Sequence, residues 1–102
     1  MSPQIERHRA MVEQYPQNEL ARFSLGKALY DDGQIEEAQE HFAIALAKKP
    51  DWMVVQILIG KCELAQGSKD KARAAFEKAR DLARAQNHEG PLAEMEQMLA
   101  EL

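Results

Sequence analysis

Residues 19–52, ELARFSLGKALYDDGQIEEAQEHFAIALAKKPDW, and residues 53–86, MVVQILIGKCELAQGSKDKARAAFEKARDLARAQ, carry one pattern written twice. At an offset of 34 they share six identities: Gly26 with Gly60, Lys27 with Lys61, Gly33 with Gly67, Ala38 with Ala72, Phe42 with Phe76, and Ala45 with Ala79. Pro16 and Pro50 extend the offset upstream. Most of these pairs have a mechanical reason to recur. Gly26 and Gly60 lie inside helical stretches, where glycine costs about 1 kcal/mol against alanine. Their recurrence predicts a partner helix in close approach. Gly33 and Gly67 fall where a helix must end and turn, a place for a residue free to adopt positive φ. Ala38 and Ala72 keep the facing helix near, Phe42 and Phe76 fill the seam one turn on, and Ala45 and Ala79 continue the stripe. Pro16 and Pro50 stop the preceding helix. Helix, tight turn, helix, proline describes an αα-hairpin.

These residues resemble the tetratricopeptide repeat, whose pattern is W-x2-L-G-x2-Y…A-x3-F…P. Leu25-Gly26, Ala38-x3-Phe42 and Pro50 match it in the first unit; Ile59-Gly60 and Ala72-x3-Phe76 match it in the second. Arg22 and Gln56 occupy the tryptophan position, Leu29 and Glu63 the tyrosine position, and Arg84 stands where a second proline would be. The missing proline predicts a last helix of the second unit that runs on to about Asn87. The resemblance implies an all-α, right-handed α-solenoid of antiparallel helix pairs with about six helices. It would form one domain over residues 1–102: a degenerate half-repeat at 4–15, repeats at 19–52 and 53–86, and a capping helix at 90–102.

The expected helices are 4–15, 19–31, 34–48, 52–66, 69–87 and 91–101. Asp51 and Ser68 are the expected N-caps of the fourth and fifth, and Pro91 the first residue of the sixth. The first helix carries Ile5, His8, Val12 and Tyr15 on one face. Aligned by Pro16, it sets His8 at the phenylalanine position and Met11 at that of Ala45 and Ala79. In the last helix Leu92, Met95, Leu99 and Leu102 share one face while Glu94 and Glu101 point elsewhere, as a terminal cap requires. Two and a half repeats fall below the roughly three usually needed for stability. The flanking helices must supply burial, or the protein forms a weak homodimer.

Composition agrees with a soluble helical protein. Apolar residues make up 45% and charged residues 29% of the chain, and the strong helix formers dominate. Thirteen basic residues against seventeen acidic ones leave a net charge of −4, which argues against nucleic acid as a partner. No apolar run is long enough to span a membrane, and the first residues lack a secretory apolar core. The single cysteine, Cys62, excludes an intramolecular disulfide and fits a reducing, cytoplasmic setting.

Nothing in the sequence assembles a nucleophile, a base and an orienting group, and no phosphate loop or metal-ligand spacing occurs. The expectation is a non-enzyme with no cofactor and no metal. Cys62 replaces Ala28 of the other unit and reads as a small buried thiol; His41 reads as a rim residue and His88 as part of a turn. Trp52 reads as a packed residue at the junction of the units. In the family it resembles, first helices of successive units line an inner wall where partner proteins dock. The helical period then assigns Leu20, Phe23, Lys27 and Tyr30 to that wall in the first unit, and Val54, Ile57, Lys61 and Leu64 in the second. The two lysines would flank an acidic group of a bound segment. Alternatively they are solvated and merely inherited, and a flanking helix covers Val54, Ile57 and Leu64. The family's carboxylate-gripping groove also needs asparagines on that wall; Asn18 and Asn87 do not lie there. An adaptor that binds a peptide or helix of another protein is one expectation, and a self-assembling structural subunit is the other.

Overall fold

The structure, a computed structural model, describes residues 2–102. Six α-helices and no strands occur among them: α1 (Pro3–Gln14), α2 (Glu19–Asp31), α3 (Ile35–Lys48), α4 (Met53–Ala65), α5 (Lys69–Ala85) and α6 (Glu89–Glu101). The chain divides into two compact units, one running up to Pro50 and the other starting at Asp51. In the first unit α2 packs on α3 and α1 on α2; in the second α4 packs on α5 and α5 on α6.

Three helices end in the same way. Gly33 and Gly67 adopt φ of 87° and 80°, and Asn87 follows with 58°. After α2 the Gln34 amide donates to the Leu29 carbonyl at 2.9 Å and the Gly33 amide to that of Tyr30 at 3.0 Å. Ser68 to Glu63 with Gly67 to Leu64 repeats this after α4, and His88 to Ala83 with Asn87 to Arg84 repeats it after α5. This is the Schellman arrangement, with glycine or, next best, asparagine in the left-handed position. Asn87 therefore turns the chain where proline is missing, and α5 ends at Ala85.

The helix starts depart further from expectation. Side-chain caps come from Ser2, which accepts from the Gln4 and Ile5 amides, and from Asn18, which accepts from Ala21. Trp52, not Asp51, is the N-cap of α4, and Ser68 takes that place in α5 without a side-chain cap bond. α6 begins at Glu89, so Pro91 is its third residue and not its first. The first backbone bond of that helix is Leu92 N–H to the His88 carbonyl. Proline at the third position therefore removes no intrahelical bond, because the first four amides have no partner inside the helix.

Each hairpin closes on its phenylalanine. Phe42 and Phe76 are both fully buried. A Cβ placed on Gly26 would lie 2.7 Å from Phe42 Cε1, and one on Gly60 would collide with the ring of Phe76. The glycines are thus the seats of the rings. The second unit holds one apolar cluster, in which Met53 and Ile57 of α4, Ala72, Phe76, Ala79 and Ala83 of α5 and Met95 of α6 are buried. Leu92, Leu99 and Leu102 pack against it, so α6 turns its apolar face inward. The acidic Glu94, Glu96 and Glu101 stay exposed.

The two tryptophan-position residues find equivalent uses. Arg22 Nη1 donates to His41 Nδ1 at 3.1 Å, and Gln56 Nε2 donates to the Ala75 carbonyl at 3.3 Å. Positions 41 and 75 are themselves one repeat apart. Each polar residue thus reaches the same point on its second helix, and the buried amide of Gln56 is satisfied where a tryptophan would have packed.

Candidate functional site

The accessible face of α2 is built by four residues. Leu20 is 63% exposed. Phe23 stacks at a tilt on Phe42, with ring centroids 6.2 Å apart, which ties a half-buried aromatic to the hairpin core. Lys27 donates to Asp31 at 2.8 Å and lies 5.9 Å from the centre of the Tyr30 ring. It is an ion-paired, partly neutralised cation on an aromatic surface.

The corresponding residues of α4 have different surroundings. Val54 is 46% exposed. Ile57 is only 7% exposed and belongs to the cluster that includes Met95 of α6. Leu64 packs partly against the same cluster. Two of the three apolar residues on this face are thus drawn into the core cluster, and Val54 stays outside. Lys61 is half-buried, and its i+4 position is Ala65, where Lys27 has Asp31. Among the described residues it forms no ion pair. The two lysines that recur in the sequence are chemically different in the structure.

A second surface was not assigned from the sequence. Between α1 and α2 lies an open hollow of about 450 Å³, lined by His8, Met11, Tyr15, Asn18, Leu20, Ala21 and Ser24. Met11 is 47% exposed and Tyr15 49%. With Leu20 they are three of the four large apolar side chains most open to solvent. The repeat offset carries the missing signal: it equates Met11 and Tyr15 with Ala79 and Ala83, which are buried in the apolar cluster of the second unit.

Titratable groups of the first unit form a brace across its helices. Arg9 of α1 donates to Glu37 of α3 at 2.6 Å, and His41 Nε2 lies 3.6 Å from the same carboxylate. Arg22 donates to the other ring nitrogen and to the Pro16 carbonyl. Because arginine only donates, Nδ1 accepts and the ring proton sits on Nε2, facing Glu37. His41 is half-buried, with 11% of its side chain accessible. Burial, then the charge of Arg22, lowers its pKa. The bond from Arg9 holds Glu37 below the usual carboxylate range. Burial pushes the Cys62 thiol up to about 11, so it is a poor nucleophile. Among the described residues no cluster of histidine, cysteine and carboxylates could hold a metal, and no helix is long and apolar enough to cross a membrane.

Paired helices closed by a glycine–phenylalanine seam and a Schellman turn define a helical-repeat protein, and comparison with known proteins specifies the kind. The tetratricopeptide repeat family matches residues 9–51 and 23–88. A TPR repeat-containing protein of Pseudomonas aeruginosa is 36% identical over 92 residues, covering 90% of this chain and 86% of its own. A solution structure of a Bordetella parapertussis protein superposes with a TM-score of 0.85 at 31% identity, over 99% of this chain and 88% of that one. The TPR2B domain of yeast Sti1, solved as a complex with pHsp70, gives a TM-score of 0.83 over 94% of this chain and 77% of that one. At 18% identity it shares the fold alone. The chain belongs to the tetratricopeptide repeat family, whose domains generally mediate protein–protein interaction.

Proposed function

We propose that the chain is a non-enzymatic adaptor that holds a peptide or helix of another protein on the accessible faces of its first helices. The observation that carries this reading is the α2 face, where Leu20, Phe23, Lys27 and Tyr30 combine exposed apolar area with an aromatic-backed cation. Aromatic and aliphatic anchors beside a few fixed polar groups are what interaction hot spots are made of. On α4 the contribution falls to Val54, Lys61 and the exposed part of Leu64, since Ile57 is committed to the core. Of the lysines, Lys61 is the stronger candidate for an acidic group on the partner, because Lys27 already shares its charge with Asp31. The Sti1 domain, of the same fold and solved as a complex with pHsp70, supports the type of function and not the partner. A cytoplasmic setting is part of the proposal, supported by the single, buried, free cysteine.

The test is affinity capture from native lysate with the wild type and a Lys27→Glu/Lys61→Glu variant, both checked for helicity and melting temperature. Loss of a captured protein by the folded variant is the expected result. An unchanged set of captured proteins would contradict the reading.

A further inference from the structure

The hollow between α1 and α2 has a definite place in the repeat. The Pro16–Pro50 offset makes α1 the equivalent of α3 and α5, the second helices of the two hairpins. His8 then corresponds to Phe42 and Phe76, Met11 to Ala45 and Ala79, and Tyr15 to Lys49 and Ala83. In α5 the face made by Phe76, Ala79 and Ala83 is fully buried, in one cluster with Met53 and Ile57 of its first helix α4. In α1 the same face is open, and Met11 and Tyr15 stand out from it half exposed. The opposite wall is open in the same way. Ala21 and Ser24 of α2 are only half-buried, whereas their equivalents in α4, Val55 and Leu58, are buried.

The geometry points to a helix-docking seat: we infer that this hollow receives an amphipathic helix of a partner protein, placed as α2 lies on α3 and as α4 lies on α5. The occupant follows from continuity with those two packed interfaces. Each first helix presents a glycine to the ring of its second helix, Gly26 to Phe42 and Gly60 to Phe76. The partner helix accordingly carries a small residue opposite His8, flanked by leucine-like residues that enter the hollow between Met11, Tyr15 and Leu20. Area favours an inserted helix over a second copy apposed through the same patch. Three side chains about half exposed offer on the order of 300 Å² per protomer, well short of the roughly 800 Å² per partner of a stable protein–protein interface. A helix lying in the seat also contacts both walls of the hollow. The imidazole of His8, the Tyr15 hydroxyl and the Ser24 hydroxyl supply the polar rim.

This seat is separate from the first-helix wall, sharing only Leu20 with it, and the test keeps them apart. The probe is a capped synthetic peptide with the sequence of residues 19–34, a first helix of the required chemistry. It is titrated into the isotope-labelled full chain and followed by amide and methyl shifts. Saturable shifts centred on His8, Met11, Tyr15 and Ser24 are expected. A Met11→Lys/Tyr15→Ser variant, altered only at exposed positions, should weaken binding at least tenfold at unchanged helicity. Lys27→Glu/Lys61→Glu should bind as the wild type does. A peptide with leucine at the Gly26 position should also bind about tenfold more weakly. Absence of shifts at millimolar peptide, or equal binding by the Met11/Tyr15 variant, overturns the proposal. So do shifts centred on α3, which report displacement of α2. A concentration-dependent mass without peptide, abolished by the Met11/Tyr15 variant, overturns it in favour of a second copy.

Discussion

Gly26 is where sequence and packing meet most tightly. Its own helix would gain about 1 kcal/mol from alanine, but the added methyl would lie 2.7 Å from a fully buried phenylalanine ring. Overpacking of this kind costs about 1–3 kcal/mol, so the collision outweighs the propensity. Gly26→Ala should lower the urea midpoint by an amount equivalent to up to about 2 kcal/mol. Gly90→Ala, with open space around the new methyl, should be neutral or slightly stabilising. Equal midpoints for the two variants would mean that the ring does not set the helix separation. Both recurrent mid-helix glycines are legible in the sequence, because a costly residue that returns at one period has a reason. Arg22 and Gln56 are not. Their repeat positions show a departure from the family, while the partners they reach, His41 and the Ala75 carbonyl, lie 19 residues away on another helix.

The elements themselves are legible to the extent that their signals are local. The Schellman turns after α2 and α4 follow from glycines at one offset, and the third, at Asn87, uses a residue that gives a weaker signal. The N-terminal boundaries are less readable, since Asp51 and Ser68 have capping chemistry that the backbone does not use. The brace of Arg9, Glu37, His41 and Arg22 joins three helices of the first unit and has no sequence signature at all. It makes the stability of that unit depend on pH. The pKa of His41 is lowered in the folded state, so its stabilising effect is complete above the ordinary histidine value and is lost as pH falls through the folded one. Glu37 is also lowered, so its share is present above the ordinary carboxylate range and is lost at more acidic pH. Both act in one direction. The urea midpoint should fall between pH 7.5 and pH 5.5, and fall less in His41→Ala, which places at 41 the residue found at 75. An identical pH dependence in the variant would remove His41 from this role.

For the whole molecule, the fold is the most readable property and the site the least. Six identities and a proline pair specify helix hairpins, because each constrains a contact within about one repeat. Accessibility is different: it depends on what lies over a face. Ile57 has the right period for the interaction surface and is nevertheless taken up by the cluster containing Met95. Met11 and Tyr15 share the repeat offset of the buried Ala79 and Ala83 and are half exposed. The central claim is that the first-helix faces recognise other proteins. Site-specific photo-crosslinking in cells tests it most directly, with the crosslinker placed at Val54 on α4 or at Ala74 on the exposed side of α5. Adducts with a discrete partner from position 54 and none from position 74 are predicted. Adducts of equal yield at both positions, or at 74 alone, would contradict the claim.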